Sequence, residues 1–381
     1  MKNIPYKKIY TTIVATIFIS CGTVKNEQIE TIKVDIKSEK SEIEFADYFS
    51  KKNVVVLETN ENSTFSYIDR LFLFDNKIFI FDRKLNSVFV FSNNGSFLFK
   101  INNIGHGPNE YQGLVDFTID EKNNNIILHS HRPYALYVYK LDGSFVKKVK
   151  LNDIYKNIAS IDNKLLFLNA DQKKEHLLFD YDMRKNEKKM GSLEMNDLDK
   201  QFAFHGIIAP YLTKDKNIHL CLPYSETIYE QNGKGVEAKY HIDFGNEKMP
   251  EDIYKSKKNF RELIEFGRSS NYGWGISNFR ENKDYITFYY QLCNLVIYSK
   301  KDKKAKIVLS VLNDDMIYGS YIAHDGDDNN LVMQCPAYIF KKQMGIYKQN
   351  GKWEKLPDNI KKIDNSIKDT NNPLLLIYTF K

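Results

Sequence analysis

Three stretches of this chain carry residue types at spacings that bear on chemistry. In Ile104-Gly105-His106-Gly107-Pro108-Asn109-Glu110-Tyr111, an imidazole and a carboxylate stand four positions apart within a glycine-rich loop. His106 and Glu110 could bind a polar ligand or work as an acid–base pair. The same residues also have structural uses: Gly105 and Gly107 permit positive φ, Pro108 fixes its own, and Tyr111 can wedge between sheets while Glu110 bonds backbone N–H groups. A second stretch, His129-Ser130-His131-Arg132-Pro133, places His131 and Arg132 in a loop and suggests a basic mouth to a channel. The third, Gly267 to Phe279, sets Tyr272 and Trp274 among small residues, a pattern that suits an aromatic platform for a sugar or peptide.

Other patterns point away from chemistry. Asp325, Asp327 and Asn329 have the D-x-D-x-N spacing of a calcium loop, but Asn330 stands where glycine is required and Pro336 where the bidentate glutamate belongs. The run His324 to Asn330 therefore reads as an acidic hairpin turn. There is no GxSxG, HExxH, phosphate-loop or CxxC pattern. No catalytic residue, metal or cofactor is assigned from the sequence.

The elements that position these residues read as strands. From Asn53 onward, apolar runs of four to six residues alternate with Asn, Asp, Gly and Lys. Ile78 to Phe81, Val88 to Phe91, a turn at Asn94-Gly95 and Phe97 to Ile101 form one unit. The pattern returns as Ile126 to His129, Leu136 to Tyr139, a turn at Asp142-Gly143 and Phe145 to Val149. Asp162-Asn163-Lys164 repeats the triplet Asp75-Asn76-Lys77 and opens a third unit, and three weaker copies follow. Four strands recurring every 40 to 50 residues or so are the mark of propeller blades, whose sheets need neighbours to bury both faces. The expected fold is all-β: a six-bladed propeller of four-stranded antiparallel blades. The early strand Asn53 to Glu58 should pair with the last sheet and close the ring. Two helical insertions between blades are expected, at 250–266 and within 336–370.

The N-terminus reads as a lipoprotein signal. Lys2, Lys7 and Lys8 precede the apolar run Ile9 to Ile19, which is too short to span a bilayer, and Phe18-Ile19-Ser20-Cys21 resembles a lipobox with Cys21 as the lipidated residue. The expected organisation is a signal at 1–20, a flexible tether at 21–50 and the propeller at 51–381. Without the leader's three lysines the net charge falls from +6 to near +3, which gives no reason to invoke nucleic acid. Cys221, Cys293 and Cys335 each sit in an apolar run, so buried free thiols are expected, with one bridge among the three left open.

The segment from Ile104 to Tyr111, followed by Asp116 to Asp120, resembles the GxGPxEY motif of the six-bladed β-propeller lipoproteins of Bacteroidetes. More distantly it is similar to the link between NHL-type blades. Val56 to Thr59, Pro223 to Tyr229 and Asn372 to Leu375 support the resemblance, while His106 and Asn109 depart from the usual pattern. The resemblance implies architecture and leaves function open, because the family's members mostly lack an assigned activity; the envelope location is expected from the lipobox. The sequence reading is a lipid-anchored, non-catalytic binding or scaffold module at the outer membrane, contacting a protein or glycan ligand, on a membrane face left undetermined. The alternative is a hydrolase or lyase with a polar central channel.

Overall fold

A computed structural model describes residues 29–162, 164–202, 211–232, 235–312, 317, 319–321 and 324–381. They form six small sheets. The first contains Arg70–Phe74, Lys77–Asp82, Ser87–Ser92 and Phe97–Ile101; the second contains Gly113–Asp120, Asn125–Arg132, Tyr134–Lys140 and Phe145–Lys150. The third is built from Tyr155–Ile161, Lys164–Asn169, His176–Asp182 and Glu187–Glu194. The fourth has Tyr211–Lys214, Ile218–Cys221, Thr227–Gln231 and Val236–Asp243. Ser277–Glu281, Tyr285–Tyr290, Asn294–Ser299 and Lys304–Leu312 make the fifth, and Ser320–Tyr321, Asn330–Cys335, Leu374–Phe380 and Phe49–Val56 make the sixth.

The apolar texture follows from stacking. Hydrophobic clusters lie between each consecutive pair of sheets, and one joins Val332, Leu375 and Ile377 of the sixth to Leu71, Ile78 and Phe89 of the first, so the sheets form a ring. A middle strand meets a neighbour on both faces, which is why Lys77–Asp82 (KIFIFD) is buried along nearly its whole length. The outer strand Phe145–Lys150 (FVKKVK) has no fully buried residue and can carry three lysines. The turns sit where the sequence placed them: Gly95 and Gly143 have φ of 91° and 87°, a region open to glycine at little cost.

The ring closes as expected from the strand at Asn53. Phe49–Val56 pairs antiparallel with Leu374–Phe380, in register from Leu374 opposite Val56. The reading of 21–50 as a tether needs correction over its described part. Glu30–Lys33 adds in parallel to the outer strand of the fourth sheet, and Ser41–Glu44 adds in parallel to that of the fifth. Ile32 and Ile43 are buried there. This segment is a strap running along two outer edges, and it shields the edge strands of those two sheets from other chains.

The helices differ in detail from the sequence reading. The first region is two helices, Glu251–Ser256 and Phe260–Ser269, because Asn259 interrupts the run and caps the second by accepting the Glu262 N–H at 3.1 Å. They lie between the fourth and fifth sheets. The helices Ala337–Gln349 and Asp358–Ser366 instead interrupt the sixth sheet between its second and third strands, where an inter-blade position was expected. No helix among the described residues is long and apolar enough to cross a membrane.

Candidate functional site

The first strand of each sheet borders the axis, and the axis is filled. Arg70, 2% exposed, reaches across it. Its Nε donates to Asp325 at 2.9 Å; one terminal nitrogen donates to Asp116 at 2.6 Å and to the carbonyls of Phe117 and Ile158 at 2.9 and 2.8 Å. The other donates to the Leu212 carbonyl at 3.1 Å. One guanidinium thus ties the first sheet to the second, third, fourth and sixth. Arg280 of the fifth sheet adds bonds to the carbonyls of Lys214 (2.8 Å), His324 and Asp327. The buried charge on Arg70 is balanced by two carboxylates, as a buried ion must be. Asp325 faces Arg70 and the Lys214 N–H, whereas Asp327 accepts from Asn329 and Asn330 within its own turn, so the two carboxylates of the calcium-like spacing serve different partners.

A second polar cluster lies at the end of the inner strands of the fourth and fifth sheets. His219 is fully buried, with Nε2 3.3 Å from Glu230 and 3.2 Å from Glu281, and Nδ1 3.4 Å from Asp215. Lys300 and the Tyr240 hydroxyl contact the other oxygen of Glu281, and Lys239 stands 3.7 Å from Glu230. Burial alone would depress the imidazolium, but Asp215, Glu230 and Glu281 outweigh it and raise the His219 pKa well above its ordinary value. Burial likewise works against the Asp215 and Glu281 carboxylates, yet the cations around them hold both down at about 2. The sequence reading missed this cluster: its members come from five separate segments, and only the i, i+4 spacing of Asp215 and His219 is local.

The residues singled out from sequence are partly brought together. Gly105, His106, Gly107, Glu110, His131 and Arg132 line one open pocket of about 790 Å³, with Gln112, Tyr134, Lys148 and Lys150 also at its wall. Three lining strands and loops explain it: the crossing loop from the first to the second sheet, the hairpin after Asn125–Arg132, and the outer strand Phe145–Lys150. His131 and Arg132 were expected at the channel mouth; because the pocket wall includes that outer strand, they sit on the flank of the second sheet.

Inside the pocket the acid is already engaged. Glu110 accepts the Gly107 N–H at 2.8 Å, and its carboxylate fills the space above both glycines. A Cβ on Gly105 would come within 2.0 Å of Glu110 Oε2. Neither glycine has the positive φ expected from the sequence; they are needed for room. Tyr111 is the wedge, fully buried and edge-on to Tyr137 at 5.4 Å, while the Tyr137 hydroxyl donates to the Glu110 carbonyl at 2.6 Å. Pro108 offers its carbonyl to Lys148 at 2.9 Å. The Gln112 amide lies 2.8 Å from His106 Nε2 and 3.1 Å from Nδ1. Burial first, and the neighbouring Arg132 second, lower the His131 pKa. The Arg132 guanidinium and the Lys150 ammonium have no hydrogen-bond or ion-pair partner among the described residues. The pocket therefore presents unpaired cations around an apolar floor of Leu151, Pro133 and Tyr134.

Tyr272 and Trp274 are elsewhere. Trp274 is 1% exposed and packs in the core between the third and fourth sheets, against Gly267, where an added Cβ would lie 2.1 Å from the indole. Its ring is core and offers no platform. Tyr272 is half-buried beside the same cluster. Cys21 lies outside the described residues. Cys221 and Cys335 are buried free thiols, and burial pushes them up to about 12 and about 11; Cys293 is free but exposed, contrary to the expectation of burial.

Comparison with known proteins fits this architecture. A protein from Bacteroides fragilis NCTC 9343 described as exported has a solved structure that matches with a TM-score of 0.73 at 16% identity, covering 93% of this chain and 99% of that one. A DUF4221-family member from Bacteroides vulgatus matches at 0.49 and 11% identity, covering 87% and 97%. BamB from Moraxella catarrhalis matches at 0.39 and 10% identity, covering 74% and 72%. No curated protein matches the chain. The fold is a β-propeller, and residues 29–379 match one family model throughout, so the chain belongs to the family described as Domain of unknown function (DUF4934).

Proposed function

We propose that this protein is a non-catalytic binding module of the bacterial cell envelope, anchored by lipid on Cys21 at the outer membrane, and that its ligand sits in the flank pocket of the second sheet. The observation that carries this reading is the filled axis. Arg70 and its five hydrogen bonds occupy the place where a propeller enzyme would hold its substrate, which weighs against the hydrolase or lyase alternative. The exported description of the Bacteroides fragilis protein supports an envelope location.

Charge and size specify the ligand. Arg132 and Lys150 are unpaired among the described residues, and about 790 Å³ lies within the usual range for a small-ligand site. An acidic sugar suits it: a carboxylate or sulfate between Arg132 and Lys150, with the ring against Tyr134. The test is equilibrium binding to a panel of acidic and neutral oligosaccharides. Binding of acidic members that Arg132→Ala weakens at least tenfold is the expected result; equal binding of neutral and acidic members, or none, would sink the assignment. Anchoring is tested separately by fractionation, where Cys21→Ser should release the protein from the membrane.

A further inference from the structure

We propose that His219, Glu230 and Glu281 form a site for one divalent metal ion of the zinc class, clamping the fourth sheet to the fifth. The site is independent of the sugar-binding reading. Among the described residues, these three offer ligand atoms that all lie within 4.8 Å of one another. The separations of His219 Nε2 from the two carboxylate oxygens, 3.3 and 3.2 Å, match the edge of a tetrahedron with bonds of about 2.0 Å, roughly 3.3 Å. His219 is fully buried, neither ring nitrogen makes a hydrogen bond of good geometry, and the Nε2 edge of the ring is aimed at the two carboxylates.

The surroundings complete the arrangement. Asp215, 3.4 Å from Nδ1, is placed to take the other ring N–H and to fix the tautomer that leaves Nε2 free for a metal. The Asn217 amide holds Glu230 at 3.0 Å, and Tyr240 and Lys300 hold Glu281 by the oxygen that does not face His219. All three ligands stand on strands, Ile218–Cys221, Thr227–Gln231 and Ser277–Glu281, so little has to be ordered on binding. One imidazole and two carboxylates, without thiolate, select zinc, manganese or iron over copper(I). The Glu281 side chain, 16% exposed, marks the way in, and a water would supply the fourth ligand.

A metal and a proton compete for Nε2. Coordination requires the neutral imidazole, so affinity falls as pH falls. The charged and titratable groups facing the imidazole are Asp215, Glu230 and Glu281, backed by Lys239, Lys300, Tyr240 and Arg280.

The test uses the purified protein, freed of metal by EDTA and then titrated with Zn²⁺ and with Co²⁺ at neutral and mildly acidic pH. One ion per chain is expected, with the strong visible absorption of four-coordinate Co²⁺ and weaker binding in acid. At a hundredfold excess over Kd, Zn²⁺ should shift the folding equilibrium about 100-fold. Asp215→Asn should weaken binding about 10- to 100-fold, and His219→Gln should abolish it. If His219→Gln fails to fold, the imidazole ¹⁵N shifts of the wild-type protein decide. A Zn²⁺-induced change at Nε2 upholds the site, and an imidazolium indifferent to Zn²⁺ overturns it, as does a wild-type protein that takes up neither ion.

Discussion

The axis and the flank pocket are both rich in cations, and they treat them in opposite ways. At the axis, every donor of Arg70 that reaches a partner finds a carboxylate or a carbonyl, and the residue is sealed from water. At the flank, Arg132 and Lys150 face solvent without a partner among the described residues, while the one acid lining the pocket accepts a backbone N–H. A paired, buried charge contributes to holding the fold; an unpaired, solvated one contributes almost nothing to it and is free to meet a ligand. Arginine content alone therefore says little about function in this ring, and the partner list of each arginine says most of it.

That contrast can be broken most forcefully at Arg70. Arg70→Ala leaves Asp116 and Asp325 buried without their counter-ion and should cost about 3–5 kcal/mol, read from urea unfolding. A loss below about 1 kcal/mol would mean that the axis is wetter and less decisive than its bonds imply.

His129 sharpens the comparison, because it shares a strand face with His131 but is wholly buried between Tyr155 and Phe167. Burial pushes its pKa down to about 4. The unfolded chain then binds more protons than the native one between pH 6.5 and 4, so stability is full above that window and drains away as pH falls through it. The loss attributable to this residue is about 3 kcal/mol. Subtracting the pH profile of His129→Leu from that of the wild type should reveal it, and identical profiles would refute it.

The strap is expected to matter less than the axis and more than the flank. Ile32→Ala, which hollows a fully buried position between the strap and the fourth sheet, should destabilise by about 2 kcal/mol in thermal unfolding. No change would mean that the strap is an ornament after all. Smallest of all, Arg132→Ala and Lys150→Ala should each move stability by less than about 0.5 kcal/mol while weakening acidic-sugar binding, and a large drop in melting temperature would assign those residues to the fold.

Much of this architecture was legible in the chain because the strand signal is local. Ile78 to Phe81 and Val88 to Phe91 are apolar throughout, since both faces are covered, and Asn94-Gly95 and Asp142-Gly143 mark their turns. The strap was misread as a tether because Lys33, Asp35 and Lys37 dominate its composition. Yet Ile32, Val34 and Ile36 alternate with them, and two of the three are buried. The pocket was half legible: His106, Glu110, His131 and Arg132 stood out, but Lys148 and Lys150 belong to another strand. Nothing local distinguishes Arg70, or joins His219 to Glu281 across two sheets. Trp274 was overvalued because a sequence shows that an aromatic follows a helix and does not show that Gly267 lies beneath it.

The closing strand has a consequence for how the molecule comes into being. Phe49–Val56 is made early, yet its partner Leu374–Phe380 is the last strand of the chain. Bringing such distant segments together at the outset would oppose folding by about 5 kcal/mol of loop entropy. Once the five intervening sheets have stacked, the two ends already face each other and that penalty largely disappears. The sixth sheet should therefore form last, after its closing strand Leu374–Phe380 has been synthesised. Until then the early strand has an open edge and nothing to pair with, which makes those moments the time when the chain is most exposed to misassembly.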